Sequence, residues 1–329
     1  MCVHRFFYRE GRTVYLFRLY ALAVLSFFAL ACNEFFGGRD SGGNDNTSSG
    51  FSARDGHTAA VFKDGTRDAL WVIGGGLENG DVWKSTDGIT WTQATSAAGF
   101  SGRAHHAGAV FDGALWVIGG YDGYNRLNDV WKSTDGITWT QVNAGSRFSA
   151  RYRHTATVFK DGTRDALWVI GGWDGSNWTE VTDNAGFAAR DGHTAAVFDD
   201  GSGNALWVIG GDDFSSAFND VWKSTDGKNW TEVTDNAGFS KRYAHTATVF
   251  NDGTRDALWV IGGYGGSDSL NPKSLSDVWK SADGKNWTEV TGAGFTARYY
   301  HTATVFDGAL WVAGGWDSSK YLNEVWKYP

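Results

Sequence analysis

The sequence predicts an all-β fold, a ring of repeated sheets, and three observations lead there. Four landmarks recur in fixed order between residue 54 and the C-terminus, two of them six times and two of them five times. The recurring segments are short and rich in β-branched and aromatic residues, and Gly or Asp turns punctuate them. The chain holds 45 Gly and 18 Trp but 2 Pro and 1 Met, a mixture poorly suited to helices.

The N-terminus reads as an address. Arg5, Arg9, Arg12 and Arg18 precede the apolar run Leu19–Ala31, which ends at Cys32. A run that short cannot span ~30 Å of hydrocarbon as a helix, which takes ~20 residues. A basic start, a short apolar stretch and small residues before a break form a secretory signal. Residues 1–32 are therefore expected to be a signal segment. Residues 33–52, rich in Gly, Ser, Asn and Asp, carry too little apolar surface to fold and should form a flexible tether. The remaining residues, 53–329, should form the ring.

Within each unit the first landmark is R-x-x-H followed by an apolar run: Arg54/His57, Arg103/His106, Arg151/His154, Arg190/His193, Arg242/His245 and Arg298/His301. The second is ALWVIGG, around Trp71, Trp116, Trp168, Trp207, Trp259 and Trp311. The third is DVWKS, with Trp83, Trp131, Trp222, Trp279 and, in the variant EVWKY, Trp326. The fourth is a Trp-Thr pair at Trp91, Trp139, Trp178, Trp230 and Trp287. The first two segments are apolar or small throughout, as strands covered on both faces are. The last two alternate polar and apolar, as strands nearer water do. A sheet that grows more polar strand by strand fits a blade running outward from an axis. Radial repetition then buries its faces against its neighbours, giving a six-unit β-propeller.

Two units depart from the pattern. Successive second-strand tryptophans are 45, 52, 39, 52 and 52 residues apart, and the short interval lies in the third unit, where no DVWKSTDG segment occurs. The sixth ends at EVWKYP. The third and last blades are therefore expected to be three-stranded.

These landmarks resemble the kelch repeat: R-x-x-H, an apolar strand ending in Gly-Gly, a variable loop, then an aromatic strand and a Trp. The likeness covers residues 54 to 329. Cys32, following Ala29-Leu30-Ala31, resembles the lipobox cysteine of bacterial lipoproteins, with Ala29 where that family usually has Leu. The resemblance implies lipid attachment at Cys32 and export to the bacterial cell envelope, at the outer membrane or cell surface, with the lipid as the sole membrane contact. The turn Ser85-Thr86-Asp87-Gly88, repeated from Ser133, Ser224 and Ser281, is similar to the Asp-box of sialidase-like propellers, one residue shorter between Asp and Gly. It recurs at equivalent turns, whereas catalysis needs one unique constellation, so a structural role is expected.

Several chemistries are disfavoured. Four of the 29 basic and one of the 37 acidic residues lie in the first 32, leaving 25 against 36, a net charge of −11. Such a body is not expected to bind nucleic acid. Kelch-family copper-radical oxidases need a Cys–Tyr crosslink, yet the only cysteines are Cys2 and Cys32. Six histidines spread around a ring lie too far apart to share one metal ion, so no metal or other cofactor is expected. The Arg and His of R-x-x-H should instead satisfy backbone carbonyls and acidic neighbours, with His105, outside the pattern, as an exception.

The expectation is thus a non-catalytic envelope lipoprotein that binds a protein or glycan. The turn after the first strand and the STDG turn are near-copies, whereas the loops after Gly-Gly and the two residues inside R-x-x-H differ between units. Both should open on one face, and variable loops on a rigid frame commonly carry function. The candidates are Arg103, Tyr121, Asp122, Tyr124, Tyr152, Arg153, Trp173, Asp174, Tyr264, Tyr299, Tyr300, Trp316 and Asp317. Trp173 and Trp316 are the two tryptophans outside the repeated positions. The alternative is a carbohydrate-active propeller enzyme, sialic acid epimerase- or sialidase-like, against which no convergent acid and base are visible in the sequence.

Overall fold

In the computed structural model of the protein, the described residues are 50–329 apart from 64, 66, 78–79, 143–147, 161–163, 175–184 and 267–270. The signal segment, Cys32 and nearly all of the tether lie outside them. Among the described residues every regular element is a β-strand.

The strands form six antiparallel sheets in chain order. The first contains β1 (Thr58–Lys63), β2 (Asp68–Ile73), β3 (Val82–Ser85) and β4 (Thr92–Thr95); the second β5 (Ala107–Phe111), β6 (Ala114–Tyr121), β7 (Arg126–Ser133) and β8 (Thr140–Val142). The third contains β9 (Thr155–Lys160) and β10 (Asp165–Ile170); the fourth β11 (Thr194–Asp199), β12 (Asn204–Asp212), β13 (Ala217–Ser224) and β14 (Thr231–Thr234). The fifth contains β15 (Arg242–Tyr243), β16 (Thr246–Asn251), β17 (Asp256–Gly265), β18 (Lys273–Ser281) and β19 (Thr288–Glu289); the sixth β20 (Thr302–Phe306), β21 (Ala309–Ala313) and β22 (Val325–Tyr328). Within the third unit, residues 175–184, including Trp178, lie outside the described residues. The architecture is a β-propeller.

The second strand of each sheet explains the packing. Its side chains alternate, so successive residues serve opposite neighbours. Leu70 and Val72 join a cluster with Phe306 and Trp311 of the sixth sheet, whereas Trp71 and Ile73 join one with Leu115 and Val117 of the second. A strand buried on both faces must be apolar at every position, and this is why ALWVI recurs. The indole N–H of Trp71 donates to the Phe62 carbonyl at 3.0 Å, so no buried donor is wasted.

The STDG turns are structural. Asp87 Oδ1 accepts the N–H groups of Ile89 (2.8 Å) and Thr90 (2.7 Å), and Ser85 Oγ accepts that of Gly88 at 2.8 Å. These bonds hold the Asp87 carboxyl down at about 2. The turn repeats at Asp135, Asp226 and Asp283.

The arginines of R-x-x-H lock each unit to itself. Arg54 is 1% exposed; it donates to the Gly74 carbonyl at 2.7 Å and grips both Asp81 oxygens at 2.8 and 3.0 Å. Arg103, Arg190 and Arg242 repeat this on Asp129, Asp220 and Asp277, and Arg298 donates to Glu324. The histidines depart from expectation: their partners are threonine hydroxyls of the preceding unit. His57 Nε2 meets Thr302 Oγ1 at 3.0 Å, and His106, His193, His245 and His301 meet Thr58, Thr155, Thr194 and Thr246 at 3.0 to 3.2 Å. His154 breaks the series, because Gly108 stands where the other units place Thr and a Cβ there would lie 2.7 Å from Thr58 Oγ1. Burial above all, and then the neighbouring arginine, holds all six histidines down at about 3, so they are neutral.

Candidate binding face at the ring axis

The second variable residue of each R-x-x-H forms a closed collar. The N–H of His105 donates to the Gly56 carbonyl (2.7 Å), Arg153 to His105 (2.9 Å), Gly192 to Arg153 (3.1 Å), Ala244 to Gly192 (2.7 Å), Tyr300 to Ala244 (2.9 Å) and Gly56 to Tyr300 (3.0 Å). The last bond joins the sixth unit to the first. All six residues have φ between 54° and 59°, four of them without being glycine. A left-handed non-glycine residue costs ~1–2 kcal/mol, and the cyclic hydrogen bonding holds them there. Beneath the collar lies a cavity of about 120 Å³, lined by collar residues and the six histidines.

The first variable residue pairs with the residue after Gly-Gly by reciprocal backbone bonds. Ala104 faces Tyr121, Tyr152 faces Trp173, Asp191 faces Asp212, Tyr243 faces Tyr264, and Tyr299 faces Trp316. This register places both variable segments on one face around the axis, as the sequence implied. An aromatic crescent results. Ring centroids are 5.5 Å apart for Tyr121–Tyr152, 6.3 Å for Tyr152–His105, 4.3 Å for His105–Tyr300, 5.2 Å for Tyr300–Tyr299, 5.0 Å for Tyr299–Tyr264 and 5.6 Å for Tyr264–Tyr243. The guanidinium of Arg153 lies 5.3 Å from the Tyr152 ring centre and 5.1 Å from that of Tyr300.

Acidic residues fill the other side. Asp191 and Asp212 are direct cross-strand neighbours, an arrangement unfavourable for like charges. Burial pushes the Asp191 carboxyl up to about 8, despite Arg153 Nη1 at 3.9 Å, and also raises Asp212. A proton retained on the pair removes one of the two like charges and so eases their repulsion. Burial raises Asp55, beside Arg153, to about 6, and Tyr299 to about 12. Asp191 is completely buried, and neither of its carboxylate oxygens has a hydrogen-bond partner; Asp212 Oδ1, Arg153 Nε and Tyr300 Oη share that condition.

The candidates thus separate. Tyr121, Tyr152, Arg153, Tyr264, Tyr299 and Tyr300 converge at the axis. Trp173 packs at a tilt against Phe214 and Trp316 edge-on against Tyr321, ring centroids 4.5 Å apart in both pairs, flanking the crescent. Tyr124 is 91% exposed at a loop tip. Asp122 and Asp317 cap their own loops through backbone N–H groups, and Asp174 accepts from Ser149 Oγ at 3.0 Å. Arg103 must be corrected: at 1% exposure, with its guanidinium on Asp129, it belongs to the scaffold and offers nothing to a ligand. Asp55, Asp191, Asp212 and Tyr243 were missed, although all lie within the variable segments. Together with Arg153 and Tyr300 they supply the convergent ionisable groups that were not visible in the sequence. Among the described residues no three His, Cys, Asp or Glu side chains are gathered as metal ligands.

The KLHDC2/KLHL20/DRC7 Kelch-repeats domain matches residues 192–329, and the Kelch motif matches residues 102–132. A solved structure titled "Structure of YjhT" is similar in fold, with a TM-score of 0.60 and 16% identity, over 84% of this chain and 95% of that one. A comparison with curated proteins finds no match. The recurring R-x-x-H and Gly-Gly landmarks, the radial sheets they build and both repeat models agree: the chain belongs to the kelch-repeat β-propeller family.

Proposed function

We propose that the protein is a cell-envelope lipoprotein anchored through Cys32, whose propeller binds a saccharide without catalysing its turnover. The six sheets are taken as six blades of one ring, the third and last of them short. The observation that carries the binding role is the aromatic crescent from Tyr121 to Tyr243, bordered by buried carboxylates. Flat aromatic faces stack on the C–H face of a sugar ring, and carboxylates orient its polar groups. A protein ligand could use the same anchors, Tyr, Trp and Arg, but the unpartnered polar atoms beside the rings favour a hydroxyl-rich ligand.

A glycan and envelope-protein binding screen on the purified full chain tests this reading. Tyr264→Ala, Tyr299→Ala and Trp316→Ala should weaken a glycan hit at least tenfold at unchanged melting temperature, and unchanged binding in all three rejects the face. Anchoring is tested by fractionation: Cys32→Ala should move the protein from the membrane to the soluble fraction. Among the described residues no helix is long and apolar enough to cross a membrane.

One observation favours a second reading, a carbohydrate-active enzyme. Paired carboxylates with raised affinity for protons, beside an Arg and a Tyr, are suited to acid–base chemistry. Turnover of a sugar substrate that Asp191→Asn abolishes would replace the binding reading with this one.

A further inference from the structure

We propose that the cluster of Asp191, Asp212, Arg153 and Tyr300 binds a charged primary amine, so that the saccharide recognised on this face is an amino sugar with its amine free. This rests on the saccharide reading above and specifies its ligand.

The first argument is positional. The two paired positions, one inside R-x-x-H and one after Gly-Gly, hold Ala104 and Tyr121, Tyr152 and Trp173, Tyr243 and Tyr264, or Tyr299 and Trp316 in other units. The fourth unit places two carboxylates there instead. Opposed acids cost stability unless something positive, or a proton, lies between them.

The second argument is the unmet bonding. Asp191 is completely buried with both oxygens unpartnered, and Asp212 Oδ1 is unpartnered too. Buried carboxylates are ordinarily paired, because desolvation without compensation costs several kcal/mol. Arg153 does not meet this need. Its Nη1 stands 3.9 Å from Asp191 Oδ2, beyond hydrogen-bond range, and its Nε has no partner. One guanidinium also faces three carboxylates, those of Asp55, Asp191 and Asp212.

The missing group must therefore bring positive charge and several N–H donors in a small volume. An ammonium does so, with three donors. It would also sit among the tyrosine rings that already accept the cationic Arg153 side chain. The unpartnered Tyr300 hydroxyl beside it suits a ligand hydroxyl, which distinguishes an amino sugar from a simple alkylamine. A neutral sugar leaves the carboxylates uncompensated, and an anionic sugar meets an excess of negative charge.

The groups that face the Asp191–Asp212 pair are Arg153, Asp213, Tyr152, Tyr243 and Tyr300. Arg153 alone among them is cationic, and near neutrality the pair retains a proton. An arriving ammonium replaces that proton, so binding should release it.

Titration calorimetry of the full chain with a β-1,4-linked glucosamine oligosaccharide and its fully N-acetylated form tests the proposal. At pH 6.5 the free-amine form should bind at least tenfold tighter, with a heat that changes between buffers of different ionisation enthalpy as a proton is released. Asp212→Asn and Asp191→Asn, each verified by its melting curve, should weaken binding of the free-amine form at least tenfold more than that of the N-acetylated form and so remove the preference. Equal or tighter binding of the N-acetylated form overturns the amine site while the saccharide reading stands. A lysine-containing peptide that binds tighter than the amino sugar also overturns it. Failure of every glycan to bind removes both readings.

Discussion

Trp71 of the first sheet inserts against Gly136 of the second so closely that a Cβ on Gly136 would lie 2.1 Å from the indole. The same contact joins Trp168 to Gly227, Trp207 to Gly284 and Trp311 to Gly88, the last linking the sixth sheet to the first. The glycine of each STDG turn is therefore required twice, once for its positive φ and once for the neighbouring ring. Gly136→Ala should cost ~2–5 kcal/mol, the sum of left-handed strain and overpacking. Gly253→Ala is the control. Its φ is +91° with nothing within 4 Å of an added Cβ, so it should cost only ~1–2 kcal/mol. Equal losses in denaturant unfolding would show that the tryptophan contact contributes nothing.

The shortened units leave two tryptophans without this turn. Trp259 is covered instead by the Tyr328 ring, centroids 5.5 Å apart, and is 1% exposed. Trp116 precedes the third unit, whose sequence has no STDG turn, and it stays half-buried. Trp207→Ala, at a fully buried site, should cost ~3–5 kcal/mol. Trp116→Ala should cost about half as much, because less contact is lost. Tyr328→Ala should lower stability and expose Trp259, readable as a red shift in tryptophan emission.

The ring was legible in the sequence because every unit repeats the same burial problem. A second strand covered on both faces must read ALWVI, and sixteen tryptophans at equivalent positions record one packing solution. The candidate site was legible only as variation. Variation located the face at Tyr121, Tyr152, Arg153, Tyr264, Tyr299 and Tyr300, yet it did not reveal which variable residues meet. Asp191 and Asp212 are 21 positions apart, and they meet because the β11–β12 register, in which Thr194 faces Ile209, runs on past Gly210-Gly211 into both variable segments. Arg103 misled because R-x-x-H mixes scaffold and surface: the flanking Arg and His are buried, and only the two residues between them vary in role. The histidine partners were hidden because each Thr belongs to the preceding unit.

The neutral histidines predict acid sensitivity. Each is held near 3 in the fold, against about 6.5 when unfolded. The unfolded chain therefore binds more protons across this window, and stability falls as pH drops below 6.5. At pH 5 the loss is about 2 kcal/mol per histidine, so about 12 kcal/mol for six, comparable to the whole stability of a typical domain. Asp55, Asp191 and Asp212 work in the opposite sense, but they are three groups against six. The protein should unfold near pH 5, and proton uptake on unfolding there should be several per molecule. A native circular dichroism spectrum retained at pH 4 would contradict the burial of the ring.

The Asp191–Asp212 pair predicts an opposite response on the alkaline side. Its folded proton affinity is raised, to about 8 for Asp191, whereas the unfolded carboxyl ionises near 3.8. The proton that Asp191 holds in the fold is lost as pH rises through 8, and the stability that depends on it is lost with it. Asp212→Asn replaces a like charge by a neutral amide, whose N–H groups can donate to the Asp191 carboxylate. Asp191 then ionises at lower pH, helped by Arg153 at 3.9 Å. Thermal unfolding between pH 7 and 9 should fall for the parent and stay nearly flat for Asp212→Asn, which should be the more stable at pH 9 by ~1–2 kcal/mol. Parallel curves for the two proteins would mean that the pair does not hold a proton in the fold near neutrality.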